Sequence, residues 1–375
     1  MTEFNNTLPD PDSVYSRDSR KNLFFKALRK TYNFLASVKL ALALLITILV
    51  CCVTGVTIFR GERAWVLIFN TLWFNGILVL LVLNVAFCFF GRVWGRKVTV
   101  VSLGMILFHL SFVVLMGAVI YNSLFYFRGM IRLTEGETLP SYEPGSYDKV
   151  EYGRFFSFSK FKGETTLIQM HRDYKVAGDD KRAAYEISVG EGELNKQGII
   201  YITHSLENKG FSYFNDREGH SLLIVLYDKQ GRELYGAHVP LQSLKQKNDA
   251  YLYTTGTKAG PGAFPFPQEP LQPLFGLQAV YVPDPKKDRA GEVELSVWPL
   301  AWEGAEQSKK PVATGKAAIG KKVKVGEYYL SAQEVRYWVG MSVRYEPGQP
   351  IVLAGMWVGL GGMIITFFGR MRKQK

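Results

Sequence analysis

The chain has 375 residues, of which 47% are hydrophobic, and it carries a formal charge of +12. The charge is unevenly distributed: the segment Phe127–Gln349 has 29 basic and 28 acidic residues, a net charge of +1 (29 − 28), so the excess lies beside strongly apolar segments. This distribution argues against a nucleic-acid-binding surface and indicates a membrane protein.

The N-terminal part of the chain is predicted to lie on the cytoplasmic side. Residues 1–20 form a polar, Pro-containing tail. Residues 21–36 have helical spacing that predicts a helix along the inner membrane surface.

Four apolar segments approach or exceed the ~20 residues that cross a bilayer. Each predicts a membrane-spanning helix, and they are Val38–Phe59, Val66–Phe90, Val98–Tyr121 and Ile351–Phe368.

The excess basic residues define a topology. They cluster in Lys21–Lys39, Arg92–Lys97 and Arg370–Lys375, and such clusters stay in the cytoplasm. Both termini are therefore predicted to be cytoplasmic, whereas Phe127–Gln349 is extracytoplasmic. Arg60 and Arg63, in the predicted outer turn, run against this pattern and are partly offset by Glu62.

The three cysteines, Cys51, Cys52 and Cys88, all fall in predicted spans. Their different depths argue against pairing, and we interpret them as small packing residues, with a redox role as the alternative. The outer segment has no cysteine, and the chain has no C-x-x-C-H motif, so it is not itself a c-type cytochrome.

The outer segment is predicted to be β-rich, because apolar and polar residues alternate in several runs. The runs are YEISV, GIIYITH, SLLIVLYD, DAYLYTTG, VELSVWPL and VRYWVGMSVRY. Turns are predicted at Asn215-Asp216, Asp228–Gly231 and Pro283–Pro285. The Gly- and Pro-rich stretch Lys258–Gly276 is either a surface loop or a seam between two lobes. The segment is thus one large β domain or two small ones.

The predicted fold class is an integral membrane α-helical protein with four transmembrane helices and a large extracytoplasmic all-β domain between the third and fourth. The predicted domains are residues 1–37 (tail and interfacial helix), 38–126 (three spans), 127–349 (β-rich domain) and 350–375 (fourth span and basic tail). The cell inner membrane is the expected location.

His109 is the one histidine in the predicted spans. Ionisable groups at such positions usually face a bundle interior or a cavity. Three roles are open: a packing residue hydrogen-bonded to a neighbour such as Asn84, a haem ligand, or a proton-transfer group. In the haem case a second axial ligand must come from another chain, because Met105 and Met116 lie on the same helix as His109.

Two other sets of residues are candidate sites. Gly355 and Gly359 form a G-x-x-x-G motif, followed by Gly362, and predict close helix packing within the chain or with a partner subunit. The histidines of the outer segment lack metal-ligand spacing and are interpreted as strand surface residues: His171, His204, His220 and His238.

Several segments, taken in order, resemble the ResB family of cytochrome c biogenesis proteins. They are SVKLALALLITIL, LWFNGILVLLVLNVAFCFFGR, FHLSFVVLMGAVI, RLTEGETLP and RYEPGQPIVLAGMWVGLGGMIITFF. The resemblance implies a partner of the ResC/CcsA type, apocytochrome c as the client, and haem b held by His109 together with a histidine of the partner. The segment ITHSLENKGF implies that His204 occupies a recurrent structural position. The chain is short for the family and lacks the partner's tryptophan-rich segment.

The resemblance predicts an accessory subunit of a holocytochrome c synthase that holds haem and guides haem or apocytochrome on the outer side. The chain shows no nucleophile or acid–base pair of its own, so its status as an enzyme stays open. The alternative is a structural membrane anchor of an electron-transfer complex with multihaem cytochromes, and the genes beside this one would discriminate the two. A solute transporter fits poorly, because no discontinuous inverted repeat is present.

Overall fold

The computed structural model describes residues 25–26, 28–59, 62–93, 99–246, 251–257, 260–268, 270–300 and 310–374. The predicted N-terminal tail lies outside these ranges, as do the basic residues Arg60, Arg96, Lys97, Lys258 and Lys375. The chain divides into two compact units, a helical one (Met1–Tyr126, Tyr152–Phe156 and Glu346–Lys375) and a β unit (Phe127–Glu151 and Ser157–Tyr345).

The helical unit contains four helices that are long and apolar enough to cross a membrane, as predicted; their apolar windows have mean hydropathies of 2.1 to 2.7. Residues 28–35 form a preceding helical stretch with mostly exposed side chains. The four helices are α1 (Val38–Thr54, extended by a π-helix Gly55–Phe59), α2 (Leu72–Val93), α3 (Val100–Phe125) and α4 (Gln349–Gln374).

The second helix begins later than the sequence predicted. The stretch before it forms a short helical turn, Glu62–Ala64, and a π-helix, Trp65–Phe69. Asn70 then leaves helical geometry, with φ −94° and ψ 6°, so α2 starts at Leu72. The start of α3 has a local cause as well: Thr99 and Ser102 exchange hydrogen bonds in a capping box, which satisfies backbone donors at the helix end.

The β unit is built around one large antiparallel sheet in the order β11-β10-β21-β1-β3, with β20 paired to β21 and β9 paired to β10. Its strands are β1 (Phe127–Thr134), β3 (Tyr147–Tyr152), β9 (Leu206–Asn208), β10 (Phe211–Tyr227), β11 (Glu233–Pro240), β20 (Lys322–Val325) and β21 (Tyr328–Tyr345).

Two smaller sheets accompany the large one. The first, in the order β2-β4-β7-β8, consists of β2 (Thr138–Pro140), β4 (Glu164–Arg172), β7 (Ala183–Gly190) and β8 (Lys196–Tyr201). The second, in the order β12-β13-β17-β18-β19 with β16 on β17, consists of β12 (Gln242–Lys245), β13 (Tyr251–Thr254), β16 (Phe264–Phe266), β17 (Phe275–Pro283), β18 (Gly291–Trp298) and β19 (Ala313–Ala318). Two short hairpins complete the strand set, β5 (Lys175–Val176) with β6 (Asp179–Asp180) and β14 (Gly256–Thr257) with β15 (Gly260–Pro261).

The long strands β10 and β21 run through the β unit and join its parts. They pair from Phe211↔Tyr345 to Tyr227↔Tyr329. At one end their alternate residues, Leu222, Ile224 and Leu226 among them, pack into a core with β17 and β18. All three sheets belong to one compact unit.

The structure contradicts one local prediction in the β unit, and one of the two alternatives for a second stretch. The Asn215-Asp216 pair does not form a turn but lies inside β10, where the register with β21 shifts at a bulge. The Gly- and Pro-rich stretch is not simply a surface loop either. It contributes β16 to the second small sheet, and Phe266 is fully buried in the core. The turns predicted at Asp228–Gly231 and Pro283–Pro285 do connect strands.

Candidate functional site

His109 is the tenth residue of α3 and is half-buried. Its ring stacks face to face on Phe89 of α2, with centroids 4.3 Å apart and planes inclined by 8°. Phe108 approaches edge-on, with centroids 5.4 Å apart. Two aromatic neighbours therefore restrict the rotation of this imidazole, and they hold it at the surface that α2 and α3 share.

The hydrogen bond of His109 assigns the position of the ring proton. Nδ1 lies 2.8 Å from the carbonyl oxygen of Met105, one helical turn earlier. A carbonyl oxygen can only accept, so Nδ1 is the donor, and in a neutral imidazole Nε2 then keeps its lone pair. Among the described residues no hydrogen bond reaches Nε2. Metal-ligating histidines show the same pattern, with one nitrogen bonded to a carbonyl and the other available.

Asn84 is not the partner of His109, so that prediction is wrong. Its amide Nδ2 donates to the carbonyl oxygens of Leu35 and Ser37, at 2.6 and 3.0 Å. Those carbonyls lie where the chain enters α1, and that of Ser37 also accepts from the backbone nitrogen of Ala41 at 3.2 Å. Asn84 therefore ties the start of α1 to α2, and His109 is left with one backbone bond.

No second iron ligand is supplied near His109 by the described part of the chain. Met105 and Met116 lie on the same helix, and Met116 packs against the apolar cluster of Ile68, Phe74 and Leu78. Within the described ranges no three His, Cys, Asp or Glu residues are grouped to hold a metal ion. Within the described part of the chain, His109 would be the residue that holds a haem, and its imidazole would supply one nitrogen ligand.

Gly355 and Gly359 lie on the face of α4 that contacts α3 of the same chain. A Cβ atom added at Gly355 would be 3.2 Å from Cγ of Leu115, and one added at Gly359 would be 2.5 Å from Oγ of Ser111. Both glycines of this G-x-x-x-G motif therefore pack against α3 of the same chain. The face that a partner subunit would contact in the alternative interpretation is covered by α3.

The backbones of the two helices also approach closely one turn further on, at Gly362. A Cβ atom there would be 2.8 Å from both the carbonyl oxygen of Gly104 and the backbone nitrogen of Phe108. Backbone atoms cannot rotate away, unlike the Ser111 hydroxyl. Close backbone contact of this kind is the usual way helices associate in lipid.

The cysteines are unpaired and half-buried within the spans. Cys51 packs against the cluster of Ile68, Phe74 and Leu78, which agrees with the interpretation of a packing residue. For Cys52 and Cys88 the redox alternative stays untested.

Three of the four outer histidines lie at least partly exposed on the β unit. His204 is exposed in the turn after β8, where its ring stacks on Tyr201 with centroids 4.9 Å apart. His171 lies 3.2 Å from a carboxylate oxygen of Glu186, and His238 lies 3.4 Å from one of Glu334. His171 thus makes a strand-surface contact, whereas the Nδ1 of His238 is buried and has no hydrogen-bond partner among the described residues.

His220 differs from them, and its prediction as a surface residue is wrong. It is only 5% exposed, and its Nδ1 has no hydrogen-bond partner among the described residues. Three tyrosines surround the ring, with centroids 4.5 to 5.2 Å away: Tyr253, Tyr281 and Tyr337. Burial, helped by the positive charge of Arg172, lowers the pKa of His220 from 6.5 to about 4. The sequence did carry a signal, because His220 starts the alternating core run of Leu222, Ile224 and Leu226.

The RLTEGETLP segment has a structural role in the β unit. Glu135 is buried, and its carboxylate accepts hydrogen bonds from the backbone nitrogens of Met170 (2.8 Å) and Tyr337 (3.2 Å). Arg289 pairs with the same carboxylate at 3.1 Å, and Arg336 donates to the Glu135 carbonyl oxygen at 3.0 Å. The segment thus joins β1, β4 and β21 through one buried, paired charge.

Comparison with known proteins gives no independent assignment, since no protein-family model and no curated protein matches the chain.

Proposed function

We propose that this protein is a ResB-like membrane subunit of a cytochrome c maturation complex. In this proposal His109 is one axial ligand of a haem b shared with a partner of the ResC/CcsA type. The observation that carries the proposal is the Nδ1 hydrogen bond of His109, which leaves Nε2 as an acceptor on an imidazole oriented by Phe89. Bound haem would supply the vinyl groups to which the thiols of a C-x-x-C-H motif add.

The place of His109 along α3 agrees with entry of haem from the cytoplasmic side. Nine residues precede it in the helix, which corresponds to roughly 14 Å of rise at 1.5 Å per residue. In the topology proposed from the basic clusters, the Val100 end of α3 is cytoplasmic and the Phe125 end leads to the β unit outside. His109 then lies in the half of the bilayer nearer the cytoplasm, and both ends of the β unit emerge on the outer side of the inner membrane.

The role proposed for the β unit is to guide apocytochrome c or haem on the outer side. Its histidines are not grouped as a metal site in the described structure. Guidance of a client protein requires a binding surface but no reactive side chain. This agrees with a subunit that holds haem and positions apocytochrome c while the complex attaches the haem.

The experiment that tests this function is reconstitution of the maturation reaction. The chain is expressed with a ResC-type partner and a reporter apocytochrome in a host without its own maturation system, and covalently bound haem is measured. His109→Ala should abolish or strongly reduce the holocytochrome formed, because one axial position is lost. Leu110→Ala, at an exposed neighbouring position of the same helix, is the matched control and should retain activity.

A second measurement tests the topology. Protease added to intact spheroplasts should digest the segment Phe127–Gln349 and spare the C-terminal tail. If the wild-type chain gives no holocytochrome with any ResC-type partner but copurifies with a multihaem cytochrome, the membrane-anchor alternative is the better account.

A further inference from the structure

A short aromatic segment of the helical unit, Tyr152–Phe156, lies against the end of α3. The backbone nitrogen of Gly153 donates to the carbonyl oxygen of Tyr126 at 2.9 Å, and that of Phe155 donates to the carbonyl oxygen of Leu124 at 2.8 Å. A side chain at Gly153 would prevent this approach, because a Cβ atom added there would overlap the carbonyl group of Leu124. The segment is therefore held at a fixed position beside the end of a long apolar helix.

The exposed side chains of this segment are two aromatic rings and one guanidinium group. Phe155 is 57% exposed and Tyr152 is 51% exposed, although both side chains are large and mainly apolar. Arg154 lies between them in the chain, is exposed, and forms no ion pair with any described residue. Aromatic rings beside an arginine are typical of a segment at a membrane–water interface, where the rings enter the boundary and the guanidinium reaches the lipid phosphates.

The position of the segment along α3 agrees with such an interface. Leu124 lies 24 residues after Val100, the first residue of α3, which corresponds to roughly 36 Å of rise at 1.5 Å per residue. The hydrocarbon layer of a bilayer is about 30 Å thick, and the headgroup layers bring the total to about 40–45 Å. In the proposed topology Val100 lies at the inner edge of the hydrocarbon, just after the basic cluster Arg92–Lys97, so Leu124 lies in the outer headgroup layer.

Other aromatic side chains lie at the same end of the helical unit. The indole Nε1 of Trp65 donates to the Tyr126 hydroxyl at 2.9 Å, and Nδ2 of Asn70 donates to the same hydroxyl at 3.2 Å. The start of α2 therefore lies at this end, and it carries the exposed ring of Trp73. Tyr121, near the end of α3, is exposed as well. Bands of Trp and Tyr mark the interfaces of membrane proteins, and Tyr152–Phe156 extends such a band.

We propose that Tyr152–Phe156 is an interfacial anchor that binds the outer leaflet of the membrane. The rings of Tyr152 and Phe155 enter the boundary between headgroups and acyl chains, and Arg154 binds a lipid phosphate. Burial of apolar area supplies the affinity, and the guanidinium adds a charge-assisted contact with the phosphate. The proposal rests on the membrane topology proposed above, but it requires neither haem nor a partner subunit.

The test uses the full-length chain, without a partner, in phosphatidylcholine vesicles whose acyl chains carry bromine either near the headgroup or near the bilayer centre. Bromine quenches tryptophan fluorescence only at close range, so the pattern of quenching measures depth. Phe155→Trp keeps an aromatic ring in the segment. The fluorescence that this variant adds to the wild-type signal should be lost mainly to bromine near the headgroup.

Two matched variants mark the limits of the depth scale. Leu110→Trp, at an exposed position roughly 15 Å along α3, should be quenched mainly by bromine near the bilayer centre. Leu194→Trp, at an exposed apolar residue of the β unit, should be quenched by neither lipid.

The phosphate contact is tested in the Phe155→Trp chain. Arg154→Glu should reduce the quenching by bromine near the headgroup, because a carboxylate is repelled by the phosphates. Arg154→Lys keeps the positive charge and should largely retain the quenching. Equal quenching in these two variants would overturn the phosphate contact.

The inference is overturned if the fluorescence added by Phe155→Trp escapes both brominated lipids, as that of Leu194→Trp should. It is also overturned if residue 155 becomes shielded from water only when a ResC-type partner is added, since the segment is then a protein interface. Failure of the membrane topology gives a different result, because Leu110→Trp would then escape quenching as well. His109→Ala should leave the quenching of Phe155→Trp unchanged, which separates this inference from the haem proposal.

Discussion

Replacement of His220 should remove a large part of the acid sensitivity of the β unit. The pKa of this buried imidazole is lowered to about 4, against 6.5 in the unfolded chain. Between these two pH values the unfolded state binds more protons than the folded state, so stability falls as the pH decreases from 6.5 through 4 and is unaffected above this window. At pH 4 the loss amounts to about 3 kcal/mol, from 1.36 kcal/mol for each pH unit of difference.

The assay is urea unfolding of the full-length chain in detergent at pH 7 and pH 4, followed by intrinsic fluorescence. The perturbation is His220→Phe, which keeps a ring among the three tyrosines and cannot be protonated. Acidic residues also contribute at pH 4, so the informative quantity is the difference between the wild type and the variant. The wild type should lose about 3 kcal/mol more than His220→Phe.

His238 provides a graded comparison. Burial and the charge of Arg336 also lower the pKa of this half-buried histidine, so His238→Gln should reduce the acid sensitivity in the same direction but by less. If His220→Phe loses as much stability as the wild type between pH 7 and pH 4, the buried imidazole is not the group that titrates, and the reasoning is refuted.

Other predictions concern packing and the buried carboxylate. Gly362→Leu should destabilise the contact of α3 with α4 by about 1–3 kcal/mol, which would be seen as a lower melting temperature in detergent. Gly361→Leu should not lower the melting temperature, since no atom lies within 4 Å of a Cβ added at Gly361. Equal melting temperatures of the two variants would contradict this packing. Glu135→Ala should cost about 3 kcal/mol or more in urea unfolding, because it leaves Arg289 and two backbone donors without their carboxylate. A loss below about 1 kcal/mol would show that water replaces the carboxylate.

The four long apolar helices and most strands were predictable because their signals are local. A run of about 20 apolar residues predicts a helix long enough to cross a bilayer, and this prediction does not depend on what the helix packs against. Likewise, the alternation in YEISV is sufficient to place Tyr185, Ile187 and Val189 on the buried face of β7. No knowledge of distant residues is needed for either inference.

The errors occur where distant parts of the chain decide the outcome. Asn215-Asp216 has turn composition, yet pairing with β21 carries β10 through it and absorbs the extra residue as a bulge. Asn84 and His109 are both polar residues of predicted spans, which favours a hydrogen bond between them, but Asn84 instead donates to two carbonyls of the chain leading into α1.

The central claim is that His109 offers Nε2 to haem iron at a boundary with a second protein. The most direct measurement is the visible absorption spectrum of the complex purified with its ResC-type partner, for the wild type and for His109→Ala. The account predicts that the wild type retains haem, that the variant retains less although both chains assemble, and that added imidazole partly restores the spectrum by filling the vacated axial position. A variant complex with full haem and an unchanged spectrum would contradict the claim and make His109 a packing residue.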